Sequence, residues 1–118
     1  MVKKEIFSRY VPRTATIATE IIRDNLRIPD GYKRVYTVVS AVNGTTAPTK
    51  IRFGLTFDLN RNHFYEEEPT PLLNTYYTTR REYHARLTQL GVIAMHGCVV
   101  GDLIVANFHG YEQQIGIS

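Results

Sequence analysis

The sequence has one cysteine among 118 residues, Cys98, and no tryptophan. A single thiol excludes an internal disulfide framework. No apolar run approaches the ~18 residues that a membrane-spanning helix needs. Met1-Val2-Lys3-Lys4-Glu5 has no apolar stretch behind its lysines, which argues against a secretory signal. Phosphate-cradling glycine loops and the Gly-x-Ser-x-Gly nucleophile turn are missing. Net charge is also scarce. The formal charge is +3, and all of it belongs to residues 1–13, where Lys3, Lys4, Arg9 and Arg13 face Glu5 alone. The rest of the chain is balanced. Dedicated nucleic-acid binders carry a basic stripe across the folded body, so that class is disfavoured.

What is present is alternation. Lys50-Ile51-Arg52-Phe53-Gly54-Leu55-Thr56-Phe57 puts Ile51, Phe53, Leu55 and Phe57 on one face, as a half-buried strand does. These four are the expected core. Residues 34–42 are β-branched and aromatic, residues 102–108 read as a further strand, and residues 14–22 as a threonine-rich one. Residues 82–90 fit a strand or a helix face, and their threonine and aromatic surroundings favour the strand. Turn signals separate the runs: Pro29-Asp30-Gly31, Asn43-Gly44, and Pro69-Thr70-Pro71. About eight short strands and no long helix imply one all-β sandwich of jelly-roll type, at a length that supports a single core. Residues 14–118 form the sandwich domain in this reading. Residues 1–13 are a basic N-terminal arm or the first strand.

Candidate chemistry is thin. His96 and Cys98 lie two apart, but one His-x-Cys pair falls short of a four-ligand zinc site. The apolar neighbours of Cys98 predict a buried, inert thiol. Glu66-Glu67-Glu68 reads as a solvated loop or as an acidic docking patch. A small hydrolase using Glu67 or Asp102 would need an acid, a base and a nucleophile in one cleft, and nothing in the spacing selects them. No catalytic residue, metal ligand or cofactor is therefore expected. Tyrosine is the unusual component, with eight residues. Tyr65, Tyr76, Tyr77 and Tyr83 crowd the double-proline segment. Tyrosine suits partly wet contacts, so Tyr65, Tyr76 and Tyr77 with Glu66, Glu67 and Glu68 form a candidate interface or glycan-binding face. In the N-terminal segment Lys3, Lys4, Arg9 and Arg13 alternate with Ile6, Phe7 and Tyr10, a mixture expected to bind a partner subunit.

Several segments taken together have a familiar order: Ile28-Pro29-Asp30-Gly31, Val42-Asn43-Gly44, residues 47–54, Glu67-Glu68-Pro69-Thr70-Pro71, Gly101-Asp102-Leu103-Ile104-Val105 and Gly110-Tyr111-Glu112. Over residues 26–113 this resembles the small β-sandwich virion structural proteins of tailed bacteriophages, that is, capsid decoration and head- or tail-associated proteins. The resemblance implies a non-enzymatic component present in repeated copies. Its partners would be the major capsid protein or other virion subunits and further copies of itself, and its place the virion, assembled in the host cytoplasm. A glycan- or receptor-binding module is the alternative from another class.

Overall fold

The computed structural model describes residues 4–58, 60–86 and 88–115. Within them lie nine strands: β1 (Lys4–Thr14), β2 (Thr19–Arg23), β3 (Tyr32–Asn43), β4 (Lys50–Phe57), β5 (Arg61–Glu68), β6 (Tyr77–Thr78), β7 (Tyr83–Arg86), β8 (Leu90–His96) and β9 (Leu103–Gln114). They form two antiparallel sheets. One runs β1-β9-β3, with β6 and β7 sharing the lane beyond β3. The other runs β2-β8-β4-β5. With β6 and β7 taken as one interrupted strand, this is the eight-strand order of a jelly roll, two Greek keys folded face to face. The all-β sandwich expected from alternation is the fold observed.

Inward residues of both sheets fill the space between them. Tyr36 and Phe108 meet edge to face, with ring centroids 6.0 Å apart, beside Ile22, Ile51, Phe53, Ile93, Met95 and Ile104, all buried. Leu55 is buried with them, while Phe57 is half-buried at the rim and packs against the cluster. Two bulges shape the sheets, each opposite a glycine. Thr37 is the extra residue between Tyr36↔Gly110 and Val38↔His109. Tyr65 is the extra residue between Phe53↔Glu66 and Gly54↔Phe64. A Cβ on Gly110 would sit 1.8 Å from the Val35 carbonyl oxygen, and one on Gly54 1.8 Å from that of His63. Only glycine admits the close backbone approach that each bulge makes.

Three expectations along the chain need correction. Residues 14–18 are mostly connection, because β1 ends at Thr14 and β2 begins at Thr19. The run 82–90 is broken: β7 stops at Arg86, a turn closes with Gln89 N–H donating to Arg86 O at 3.0 Å, and β8 starts at Leu90. Leu87 lies outside the described residues. Strand β8 shows no alternation because Val92 and Ala94, on the outer face, are as buried as Ile93 and Met95. Their register neighbours Arg23 and Arg52 are long side chains of the kind that cover apolar surface. Finally, Glu66-Glu67-Glu68 is not a loop. It completes β5, paired with Ile51, Arg52 and Phe53 of β4.

Candidate functional site

The bulge at Tyr65 lies on the outer strand of its sheet, where β5 approaches β6 and the segment after it. There the two sheets part into a groove of about 530 Å³. Phe53 is among its lining residues, with Tyr65, Glu66, Glu67 and Glu68 from β5 and Tyr76, Tyr77, Thr78, Arg80 and Arg81 from the other sheet. The groove thus collects all six residues singled out around the double-proline segment. Pro69-Thr70-Pro71 ends β5, since neither proline can donate a ladder hydrogen bond. The chain then crosses to the other sheet and brings Tyr76 and Tyr77 back opposite the glutamates.

Glu66 organises the groove. Its Oε1 accepts from the Tyr83 hydroxyl at 2.6 Å, and its Oε2 from the Arg80 backbone N–H at 2.8 Å. Burial and the bond to Glu66 push the Tyr83 phenol well above its ordinary value. The Arg81 guanidinium lies 5.2 Å from the Tyr65 ring centroid and 5.4 Å from that of Tyr83, within cation–π range of both. The Tyr77 hydroxyl accepts from the Leu72 N–H at 2.8 Å, so this tyrosine is held in place. Tyr65 and Tyr76 stay about half exposed. The groove therefore offers two open aromatic faces, the Glu67 and Glu68 carboxylates and a stacked guanidinium. That set suits stacking and hydrogen bonding to a polyhydroxyl or peptide ligand. Each oxygen of Glu66 thus accepts from one protein donor, which fixes the carboxylate across the two sheets.

The N-terminal segment divides by strand alternation. Strand β1 pairs with β9 over its whole length, from Lys4↔Gln113 to Thr14↔Leu103, so residues 4–13 are the first strand and do not project as an arm. Lys3 lies outside the described residues. Ile6 and Tyr10 point away from the core, 91% and 66% exposed. Lys4 Nζ sits 4.5 Å above the Tyr111 ring, and Arg13 is exposed. Phe7 and Arg9 correct the expectation that they reach a partner, because they face inward. Phe7 packs edge to face on Tyr36 at 5.7 Å. Arg9 donates to Asp24 Oδ1 at 2.5 Å and Oδ2 at 2.7 Å.

Asp24 is the centre of a buried ionic network that the sequence reading missed. Its Oδ2 also accepts from Arg34 Nη1 at 3.0 Å and from the Tyr36 hydroxyl at 2.7 Å. Arg34, fully buried, bonds Glu112 Oε2 at 2.6 Å and the carbonyls of Leu26 and Arg27. Burial, then the Asp24 charge, drives the Tyr36 phenol far upward. One signal was available: Arg34 opens the otherwise uncharged run 34–42.

His96 and Cys98 do not converge. Gly97, at φ +78°, turns the chain between them. His96 Nε2 accepts from Arg52 Nε at 3.1 Å, which leaves Nδ1–H to face Thr19 Oγ1 at 3.3 Å. Cys98 is buried, with Sγ 3.4 Å from Met95 O, and burial pushes its thiol up. Among the described residues no group of three His, Cys, Asp or Glu side chains is placed to hold a metal ion.

No protein-family model and no curated protein matches the chain. A solved structure does. The fold is similar to that of one chain in the acidic stable capsid structure of Helicobacter pylori bacteriophage KHP30. The TM-score is 0.53, covering 100% of this chain and 97% of that chain at 12% identity. At that identity the likeness speaks for the fold. A chain from a structure of CBM4 aligns at TM-score 0.37 and 10% identity, over 89% of this chain and 82% of that chain, a level that carries no argument.

Proposed function

We propose that this chain is a non-enzymatic structural protein of a phage virion, most specifically a decoration or cement protein that stabilises the head through contacts between subunits. The observation that carries the reading is the end-to-end likeness to a chain of a phage capsid structure, 100% of one against 97% of the other. The two chains are thus nearly the same length and align along all of it. Jelly rolls recur in viral capsids and in lectins, which makes this a fold-level analogy. The site chemistry agrees with it. The thiol is buried, and Glu66 in the groove is engaged by two protein donors.

The test is re-decoration. Particles stripped of the protein with mild denaturant are mixed with the purified chain, then heated while genome release is followed. Saturable binding with a higher release temperature is expected. Particles that neither bind nor gain stability would overturn the reading, and immunogold on the neck or tail would move the protein to that part of the virion.

The groove supports a second reading, binding of a glycan or host receptor through Tyr65 and Tyr76. Sugar faces stack on aromatic rings, and Glu67, Glu68 and Arg81 supply hydrogen bonds. Glycan-array binding that disappears in Tyr65→Ala/Tyr76→Ala would establish it, and an array silent for the wild-type protein would remove it.

A further inference from the structure

Strand β1 stands at the rim of its sheet. It pairs with β9, and among the described residues nothing pairs with its outer side. It is also long and regular: its 11 residues run in register with β9 without a bulge. The other rims are blunted in the ways by which folded proteins avoid edge-to-edge pairing. Strand β2 has 5 residues. Strand β5 is bulged at Tyr65 and ends in three glutamates. The lane beyond β3 is split between β6, of 2 residues, and β7, of 4. On β1 the usual deterrents, a lysine and a proline, lie only near the two ends, at Lys4 and Pro12.

The ladder fixes which backbone groups of β1 are free. Ala15 N–H donates to Asp102 O at 2.8 Å, and Gly44 N–H to Leu103 O at 3.0 Å. Asp102 therefore turns its carbonyl toward β1 and Leu103 toward β3. Antiparallel pairs alternate between bonded and unbonded, and the β1–β9 register carries no shift. Odd-numbered residues of β1 thus bond to β9, while Lys4, Ile6, Ser8, Tyr10 and Pro12 turn their backbone groups outward. Pro12, which has no N–H, stands on the side where the ladder needs none. Side chains follow the same alternation. Ile6 and Tyr10 stand exposed on the outer face beside this open edge, and Phe7 and Arg9 point inward.

We infer that β1 is an assembly edge whose occupant is the β1 of a second copy, antiparallel about a two-fold axis at Ser8. A two-fold contact is self-complementary, so one open strand supplies both halves of the new ladder. In this register Ser8 meets the partner's Ser8, Ile6 meets the partner's Tyr10, and Lys4 meets the partner's Pro12. Each is a bonded pair, which gives about eight backbone hydrogen bonds, because the missing Pro12 donor costs one bond at each end. Ile6 against Tyr10 sets a β-branched side chain on an aromatic one, a favourable cross-strand pair, and the symmetry makes it twice. On the inner face Glu5 meets Val11 and Phe7 meets Arg9. From Lys4 to Pro12 no charge lies directly opposite its like. Moving the axis to Arg9 sets Arg9 on the partner's Arg9 and Tyr10 on Ser8. Moving it to Phe7 sets Ile6 on Ser8 and Tyr10 on Lys4. Both separate the two exposed apolar side chains. A strand from another protein is the weaker occupant, since it would have to supply the apolar partners that a second β1 already carries.

Sedimentation of the full chain over a range of concentrations tests this in buffer without particles, so the outcome is separate from that of the virion reading. A concentration-dependent dimer is expected for the wild type and for a Tyr76→Ala control in the groove. Ile6→Lys should weaken it at least about tenfold, because the two-fold repeats the lost pair. Its melting temperature should match wild type, since Ile6 is 91% exposed. Ser8→Pro replaces an N–H that β9 does not use and should abolish the dimer; if that variant does not fold, Ile6→Lys still decides. A cross-link reads the register. Residues facing each other in a bonded antiparallel pair lie ~5.5 Å apart, within disulfide reach, and the native thiol Cys98 is buried. Under mild oxidation Ser8→Cys should give a disulfide-linked dimer, and Val38→Cys, exposed on the same sheet face, should not. A wild type monomeric at several hundred micromolar overturns the proposal, as does a dimer that survives Ile6→Lys or that Ser8→Cys fails to cross-link. A monomeric protein whose particle binding is lost in Ile6→Lys would assign the edge to a strand of another virion protein and overturn the second copy as its occupant.

Discussion

Replacing Asp24 by alanine tests what joins the two sheets at their charged end. The side chain is fully buried and accepts from Arg9 at 2.5 and 2.7 Å, from Arg34 at 3.0 Å and from Tyr36 at 2.7 Å. Alanine would leave a fully buried guanidinium and a buried phenol without that acceptor. Arg34 would keep Glu112 and two carbonyls, so its charge is not wholly abandoned. Removing one partner of a buried ion pair costs about 3–5 kcal/mol, a large share of the ~5–15 kcal/mol that a domain commands. At about 4 °C per kcal/mol for a chain of this size, the melting temperature should fall by about 12–20 °C. Urea and thermal unfolding followed by circular dichroism and tyrosine fluorescence would measure it. Salt should not reproduce the loss, because buried pairs are screened far less than exposed ones. If Asp24→Ala does not fold, Tyr36→Phe, which deletes the hydroxyl's bond to Asp24 and the longer one it accepts from Arg34, should still cost about 1 kcal/mol. An Asp24→Ala protein within about 1 kcal/mol of wild type would refute the view that this network fastens the sheets.

Three further outcomes follow from the packing. Phe53→Ala should lose about 3–5 kcal/mol in urea unfolding, since Phe53 is 3% exposed between the sheets; a loss under 1 kcal/mol would mean the site collapses around the deletion. Gly110→Ala should cost about 3 kcal/mol, the upper end of overpacking, because its Cβ would meet the Val35 carbonyl at 1.8 Å, and unchanged stability would show that the bulge can shift. His96 is held below its ordinary value by burial and by the charges of Arg52 and Lys50. Its neutral form therefore stabilises the fold above the unfolded value near ~6.5, and that contribution fades as pH falls from there through the lower folded value. The urea midpoint should drop between pH 7 and 5 by less in His96→Asn than in wild type, and equal drops would show that His96 does not contribute.

Alternation in residues 50–57 and the turn residues around Gly31 and Asn43 determined strand, register face and fold class, because period two and turn chemistry are local properties of the chain. The tyrosines and glutamates flanking Pro69–Pro71 could be grouped for the same reason: they are near in sequence. Strand β8 could not be read, since its outer face is buried by residues of two other strands. Residues 1–13 were legible as mixed apolar and basic, but only pairing with β9 decided that Phe7 and Arg9 turn inward while Ile6 and Tyr10 turn out. Asp24, Arg34 and Glu112 lie as far as 88 residues apart in the chain, and no local pattern announces that they meet. Of the connections 15–18, 44–49, 69–76 and 97–102, the middle two were visible as turns or loops. The jelly-roll crossings alone bring all four to one end, because every second connection of that topology returns to the same rim.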